Sequence, residues 1–251
     1  MQVFLSIKSR MPRFYCPAPL VSGATVDLPE TVAHHLHVLR MQPGDALTLF
    51  DGSGGQYAAT LADIGKRRAS ALLGAHDPLD VELPYPITLA QGLPEGSKMD
   101  WIIEKAVELG VARIEPLAAR RSVVRLSGER AEKRHLHWEG VIVSASEQCG
   151  RNRLAQLAPV MDFGRWIATP SSAPRILLSP RATTSLAEWA RTEGPQPVSL
   201  MVGPEGGFTG EEEDAAIEAG AIALSVGPRV LRTETAALAT VAMLNGLWNG
   251  M

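Results

Sequence analysis

The sequence has few cysteines, few aromatic residues and no long hydrophobic run. Its two cysteines, Cys16 and Cys149, lie far apart among 251 residues, which excludes a disulfide framework and fits the reducing cytoplasm. No run of about 18 apolar residues occurs, so we expect no membrane-spanning helix. An apolar content of 45% with a mean hydropathy of +0.03 indicates a globular chain with one large or two modest domains.

Several binding signatures are also missing. The chain contains neither the G-x-G-x-x-G of dinucleotide-binding sheets nor the G-K-[ST] of phosphate loops. The neighbouring histidines His34, His35 and His37 have no partner cysteines and the wrong spacing for two ligands on one helix face, so we predict no metal site.

The formal net charge is −3, which gives the chain no general affinity for nucleic acid. RNA binding therefore requires cations concentrated on one face. Basic clusters of this kind occur at residues 66–68, 120–125, 130–134 and 151–153. They permit RNA binding, but solvated surface clusters would give the same pattern.

Two loops rich in glycine and proline carry the strongest signal in the sequence. Residues 201–210 read MVGPEGGFTG and residues 226–236 read VGPRVLRTETA, each between a strand-like and a helix-like run. In a parallel sheet, loops at the carboxyl ends of strands form the ligand site. Thr209 and Glu212 predict a helix capping box, and three carboxylates in that first helical turn argue against a bound phosphate.

The pattern of the chain changes near residue 77. Residues 11–76 predict a small barrel or sandwich, with a helix over 30–39 and short strands at 13–15, 25–28, 46–50, 56–62 and 69–73. The proline-rich residues 77–86 predict a linker.

Residues 87–251 alternate between strands and helices, which predicts an α/β domain with a mainly parallel sheet. We expect strands at 87–91, 114–117, 176–179, 198–202 and 223–226, and helices at 97–109, 129–147, 185–191, 211–219 and 234–248. Ser97 and Asp100 predict a second capping box. The last helix is apolar nearly all round, and burial at a homodimer interface would explain this composition.

The two loops resemble the cofactor motifs of SPOUT methyltransferases, specifically of the RsmE family. Further family-like motifs occur in the same order at residues 12–15, 38–45, 98–111 and 147–153, so the resemblance covers residues 11–251. It implies a PUA-like β-barrel RNA-binding domain over 11–76, a linker over 77–86 and a trefoil-knotted parallel-sheet methyltransferase domain over 87–251. It also implies a homodimer in which the second subunit completes the active site. Residues 1–10 have no family counterpart, and we interpret them as an N-terminal extension.

The resemblance implies methylation of N3 of a uridine in 16S ribosomal RNA of the small subunit, with S-adenosylmethionine as cofactor. Uridine N3 attacks well only as its proton leaves, and an arginine aimed at O2 and O4 would orient the base and favour its ionised form. Arg229 and Arg232 are candidates on position. A carboxylate, Glu205 or Glu234, or a water molecule would accept the proton. An ion pair between Arg232 and Glu234 that only holds the loop is equally compatible with the sequence.

The resemblance also names candidate binding residues. Those for the cofactor are Leu178, Val202, Gly203, Pro204, Glu205, Gly206, Gly207, Val226, Gly227, Leu231, Arg232, Thr235 and Ala236. Those for RNA are Arg13, Arg40, Arg121, Arg151 and Asn152. Methylation of another RNA nucleotide and RNA binding without catalysis stay open as alternatives. From the residues alone, a nucleotide-dependent α/β enzyme is a third.

Overall fold

The computed structural model describes residues 11–250, and the predicted N-terminal extension lies outside them. Within this range the chain divides into two units. The first contains residues 11–81 together with 146–154, and the second contains residues 82–145 together with 155–250. The sequence predicted contiguous domains, so the placement of residues 146–154 in the first unit is a correction. None of the helices in the described part of the chain has the length and apolar character needed to cross a membrane.

The first unit is a five-stranded sheet with one helix. Its elements are β1 (Arg13–Tyr15), β2 (Thr25–Asp27), α1 (Glu30–Val38), β3 (Ala46–Phe50), β4 (Gln56–Ile64) and β5 (Ala69–Asp77). The strand order is β1-β3-β4-β5-β2, with β1 parallel to β3 and the other pairs antiparallel. Alternating residues such as Ala59 and Leu61 point into a core that also contains Phe14, Leu36 and Leu47. These are the strands and the helix that the sequence predicts, with β4 and β5 extended at their ends.

Residues 146–154 join this unit through long-range hydrogen bonds. The backbone N–H of Tyr15 donates to Glu147 Oε1 at 2.9 Å, and Asn152 Nδ2 donates to the carbonyl oxygen of Leu79 at 2.8 Å. Gly54 N–H donates to the carbonyl oxygen of Asn152 at 3.2 Å. Each bond joins residues distant in sequence, so local sequence patterns give no sign of them.

The second unit contains a parallel sheet, as the sequence predicts. Its strands are β6 (Ile87–Gly92), β7 (Arg113–Ala118), β8 (Gln156–Leu157), β9 (Met161–Asp162), β10 (Arg175–Leu178), β11 (Val198–Val202) and β12 (Ile222–Leu224). The order is β12-β10-β11-β6-β7-β8, and β9 also pairs with β7. The central strand β11 is buried along its whole length, which accounts for its unbroken apolar run.

The helices of this unit are α2 (Lys98–Glu108), α3 (Gly128–Cys149), α4 (Phe163–Ile167), α5 (Leu186–Glu193), α6 (Gly210–Glu218) and α7 (Thr233–Leu247), and the last turn of α3 belongs to the first unit. The sequence does not predict β8, β9 or α4, because elements of two to five residues are too short to show a period.

One of the two predicted capping boxes is present. Thr209 Oγ1 accepts a hydrogen bond from Glu212 N–H at 3.2 Å, and Glu212 Oε2 accepts one from Thr209 N–H at 2.8 Å. The box predicted at Ser97 is wrong, since Ser97 makes no side-chain cap. The Asp100 carboxylate instead accepts hydrogen bonds from Trp138 Nε1 at 3.0 Å and from His137 Nε2 at 2.8 Å. A tertiary contact with α3 has replaced the local one.

The C-terminal segment crosses back over the sheet after β12. Helix α7 packs against α2, α5, β11 and β6, although β12 lies at the opposite edge from β7 and β8. This path agrees with the trefoil knot that the family resemblance implies. One face of α7 is buried, whereas Leu238, Ala239, Ala242, Met243 and Leu247 remain half-exposed.

Candidate cofactor and catalytic site

A cleft lies at the carboxyl ends of three neighbouring strands, β10, β11 and β12. Its walls are the loops that follow these strands and the first turns of α7. It holds about 790 Å³ of free space including its open mouth. Both glycine- and proline-rich loops therefore face the same cleft.

Most predicted cofactor residues line this cleft. They are Leu178, Val202, Gly203, Pro204, Glu205, Gly206, Gly207, Val226, Gly227, Leu231 and Ala236. Arg232 and Thr235 are exposed and are not among the lining residues. The lining also includes Arg229, predicted as catalytic, and six residues that the sequence reasoning missed: Ser179, Pro180, Leu224, Ser225, Val230 and Thr233. All six adjoin predicted site residues or strand ends, so a wider window around the strand-end rule would have included them.

The first loop folds tightly back on itself. A Cβ atom on Gly203 would lie 2.8 Å from both the carbonyl carbon of Gly207 and the nitrogen of Phe208, so a side chain there has no room. Gly207 adopts a φ of +68° and donates its N–H to the carbonyl oxygen of Pro204 at 2.8 Å. These two positions explain why the loop requires glycine.

Glu205 is held from outside the loop by the start of α2. Its Oε1 accepts hydrogen bonds from Lys98 Nζ at 2.5 Å and from the backbone N–H of Glu95 at 3.0 Å. Partial burial alone would raise the pKa of Glu205, but the hydrogen bonds from Lys98 and Glu95 outweigh it, so this pKa lies below its ordinary value. A carboxylate with a lowered pKa is a weak base, which makes Glu205 a poor proton acceptor.

Arg121 supports the same loop from the other side. Its Nη1 donates to the carbonyl oxygens of Gly206 at 2.8 Å and Phe208 at 3.3 Å. A Cβ atom on Gly206 would come within 3.2 Å of Arg121 Cδ, so the arginine lies directly against this glycine. Arg121, predicted to contact RNA, therefore holds the cofactor loop in this structure.

The three predicted catalytic residues lie along one segment. Arg229 lines the cleft, Arg232 occupies the N-cap position of α7, and Glu234 lies in the first turn of that helix. Glu234 is half-buried, and its Oε2 is buried without a hydrogen-bond partner. The structure contains no ion pair between Arg232 and Glu234, so the structural alternative left open by the sequence has no support. The Glu234 carboxylate has an oxygen available to accept a proton.

The predicted RNA-binding residues of the first unit divide into two groups. Arg13 Nη2 donates to Asn152 Oδ1 at 2.8 Å and to the carbonyl oxygen of Arg151 at 3.3 Å, and Arg13 also bonds to Gln56. Arg151 and Asn152 are only 4% and 0% exposed, and the Asn152 side chain and the Arg151 carbonyl oxygen belong to an internal network with Arg13. Arg40 is exposed and adopts a φ of +58°, which places it in the left-handed region that few non-glycine residues occupy.

The chemistry of the cleft fits an adenosine and an amino acid without phosphate. Apolar side chains such as Leu178, Val202 and Leu231 offer a surface for a flat base, and the loop backbone offers hydrogen-bonding groups. Among the described residues that line the cleft, Arg229 is the one arginine and there is no lysine, so the cleft offers little positive charge to a phosphate. This donor set fits S-adenosylmethionine and disfavours ATP or NAD.

Comparison with known proteins agrees with this geometry. A family described as "RNA methyltransferase domain" matches residues 81–245, and one described as "RNA methyltransferase PUA domain" matches residues 28–73. The chain is 31% identical over 240 residues to the ribosomal RNA small subunit methyltransferase E of Buchnera aphidicola subsp. Schizaphis graminum, covering 95% of this chain and 97% of that protein.

Two solved structures are similar over nearly their whole length. The ribosomal RNA small subunit methyltransferase E of Neisseria gonorrhoeae, bound to S-adenosyl methionine, is 40% identical with a TM-score of 0.88, covering 95% of this chain and 98% of that chain. A Legionella pneumophila methyltransferase in complex with the same cofactor is 33% identical with a TM-score of 0.90, covering 94% and 98%.

Proposed function

The chain belongs to the ribosomal RNA small subunit methyltransferase E family, and from this premise we propose that it methylates N3 of a specific uridine in 16S ribosomal RNA. S-adenosylmethionine, the cofactor present in both similar structures, supplies an electrophilic methyl group when bound. One observation supports this proposal most strongly: the two glycine- and proline-rich loops form a single cleft at neighbouring strand ends. We place the enzyme in the cytoplasm, together with its ribosomal substrate.

The cofactor would be held by the loop backbone and by the apolar walls of the cleft. Glu205 is fixed by Lys98, and Gly206 is fixed by Arg121, so the first loop is ordered before any ligand binds. Because the loop is already ordered, little free energy is lost in ordering it when the cofactor binds. More of the binding free energy is then available to orient the reacting groups.

Arg229 and Arg232 would act on the uracil ring. Guanidinium groups donate hydrogen bonds and stay charged, so they can stabilise the negative charge that develops on O2 and O4 as N3 loses its proton. Glu234 would accept that proton, which the unpartnered Oε2 supports. Arg40 would contact the RNA backbone, since it is exposed and lies in a family-like motif of the first unit.

We also propose that the enzyme acts as a homodimer. The half-exposed apolar residues of α7 would be covered by a second copy of the chain, because a helix with apolar residues nearly all round requires burial on several sides. Light scattering coupled to gel filtration tests this point. A monomeric mass at working concentration would contradict it.

The reaction is tested by transfer of labelled methyl from S-adenosylmethionine to small ribosomal subunits that lack the modification, with naked 16S ribosomal RNA alongside. Digestion to nucleosides then identifies the product. We expect label in N3-methyluridine. Label in another nucleoside would retain the cofactor assignment and overturn the uridine assignment, and no label in either RNA would overturn both the target and the reaction.

A further inference from the structure

Gln91, at the end of β6, contacts the cofactor loops from behind the cleft. Its side chain is 0% exposed and does not line the cleft. The amide Nε2 donates to the carbonyl oxygen of Gly92 at 2.9 Å and to Thr233 Oγ1 at 2.8 Å. Nε2 also lies 3.5 Å from the carbonyl oxygen of Gly203, a longer contact. The amide therefore contacts its own strand, the first loop and the start of α7.

The Thr233 side chain connects Gln91 to the first loop. Its Oγ1 donates to the carbonyl oxygen of Gly203 at 2.6 Å, and its side chain is only 5% exposed. A hydroxyl group has one hydrogen to donate and two lone pairs, so Thr233 can accept from Gln91 and donate to Gly203 at the same time. The relay connects β6, the loop after β11 and the first residue of α7.

Gly92 allows these segments to approach closely. A Cβ atom at this position would lie 2.6 Å from Pro204 Cδ and 2.7 Å from Pro204 N. Both distances are far below any real carbon contact, so the end of β6 presses directly on the first loop. The position of the Gln91 amide relative to Gly203 and Thr233 is fixed by this packing.

The cost of burying Gln91 requires an explanation. Its Oε1 is buried and has no hydrogen-bond partner among the described residues. A buried amide that satisfies only part of its hydrogen-bonding capacity destabilises a fold relative to an apolar side chain of the same shape. The contribution of Gln91 therefore comes from the hydrogen bonds of Nε2, which connect the two loops of the cleft.

We infer that Gln91 is a positioning residue for methyl transfer: it fixes Thr233 and, through Thr233, Gly203, so that the two cofactor loops keep one relative placement. This inference rests on the proposed cofactor cleft. Gln91 touches neither cofactor nor RNA, and its effect reaches the site mainly through the Thr233 hydroxyl, with a longer direct contact to Gly203 beside it.

The test compares Gln91→Met, Thr233→Val and Thr233→Ser. Methionine keeps the length of glutamine and valine the shape of threonine, but neither keeps the hydrogen bonds. We expect both to raise the Kd and KM for S-adenosylmethionine about tenfold, the effect of one lost buried hydrogen bond, with a smaller change in kcat. Thr233→Ser keeps the hydroxyl and should behave like the wild type. If the Gln91→Met chain does not fold, the threonine pair carries the same test.

Thr240→Val is the matched control. Thr240 lies on the same helix, is fully buried and donates to the carbonyl oxygen of Ala236 within its own helix, at 2.7 Å. We expect this variant to lower Tm about as much as Thr233→Val and to leave the Kd unchanged. If Gln91→Met and Thr233→Val lower Tm without changing Kd or KM, their role is structural and the inference is wrong.

The double variant Gln91→Met/Thr233→Val gives a second, independent readout. Because Gln91 acts mainly through the Thr233 hydroxyl, and its direct contact with Gly203 is 3.5 Å long, the double variant should be little worse than Thr233→Val alone. Fully additive losses in affinity would contradict the relay.

A variant with a blocked cleft separates this inference from the proposed function. Ala236 lines the cleft, so Ala236→Met should abolish cofactor binding. Unchanged binding in that variant would show that the cleft itself is wrongly assigned. If Ala236→Met loses cofactor binding and Gln91→Met keeps the wild-type affinity, the cleft is correctly assigned and only the proposed role of Gln91 is wrong.

Discussion

Lys98 and Glu205 form an ion pair of 2.5 Å that connects the start of α2 to the first cofactor loop. We expect Lys98→Met to raise the Kd for S-adenosylmethionine by a few fold, a modest effect because both side chains are about one-third exposed. Lys105→Met is a suitable control, since Lys105 forms ion pairs with Glu104 and Glu108 of its own helix. Isothermal titration calorimetry measures both variants, and equal affinities for wild type and Lys98→Met would contradict the prediction.

The same pair predicts a pH dependence of cofactor binding. The hydrogen bond that Lys98 donates to Glu205 raises the pKa of Lys98 above its ordinary value of 10.5, and the pKa of Glu205 lies below its ordinary value of 4.5. Because the pKa of Glu205 is lowered, the ion pair contributes its full stabilisation above pH 4.5. This contribution is lost as the pH falls through the lowered pKa and the carboxylate takes up a proton. The affinity difference between wild type and Lys98→Met should therefore stay constant from neutral pH down to about pH 5 and shrink only below it.

Glu234→Gln tests the proton acceptor. Glutamine keeps the shape of the side chain but cannot accept a proton, so kcat should fall about 100- to 10,000-fold, the usual contribution of a general base. The Kd for S-adenosylmethionine should stay within about twofold, because the proposed role is in proton transfer. Glu218→Gln, at the exposed end of α6, should leave both quantities unchanged. A nearly normal kcat in Glu234→Gln would assign the proton to water.

Arg40→Ala tests the RNA contact of the first unit. Alanine keeps a Cβ atom, so the backbone strain at a φ of +58° is the same in both proteins and the fold should not change. Loss of one phosphate contact should weaken binding to 16S ribosomal RNA and reduce the slope of log K against log salt by about 0.7 to 0.9. Filter binding across a salt series measures this slope. Arg165→Ala, at an exposed arginine outside the predicted RNA-binding set, should leave the slope unchanged.

Glu147→Gln is expected to stabilise the protein at neutral pH. Burial raises the pKa of Glu147, and the hydrogen bond from Tyr15 N–H and the charges of His35 and Arg13 only partly offset it. A raised carboxyl pKa means that folding favours the protonated form, so stability is lost as the pH rises through the folded pKa. Glutamine avoids this loss and still accepts the Tyr15 hydrogen bond. Its Tm advantage should be largest at pH 7 and above and disappear below pH 4.5; a Tm difference independent of pH would contradict this.

Both cofactor loops and nearly all regular elements were predictable because their signals are local. Glycine and proline mark the loops, alternation marks β4, and the capping box at Thr209 needs only residues within one helical turn. The alternating order of strands and helices was enough to predict the parallel sheet.

Long-range contacts could not be predicted in this way. The hydrogen bonds of Asp100 with His137 and Trp138 replaced a predicted cap, because a partner distant in sequence competed for the same carboxylate. The sequence pointed to Arg13 and Asn152 as RNA-binding residues because they lie in family-like motifs, whereas the structure joins their side chains in an internal network. A sequence motif indicates that a residue has a role, but only the fold shows which atoms that residue contacts.

The discontinuity of the first unit has a consequence for the order of events during synthesis. When residue 81 has been added, the nascent chain still lacks Glu147 and Asn152, which bond to Tyr15 and Leu79. At about 5–20 residues per second, the ribosome needs several more seconds to supply them. The N-terminal sheet therefore stays incompletely hydrogen-bonded while Glu82–Ala145, less than half of the second unit, is translated.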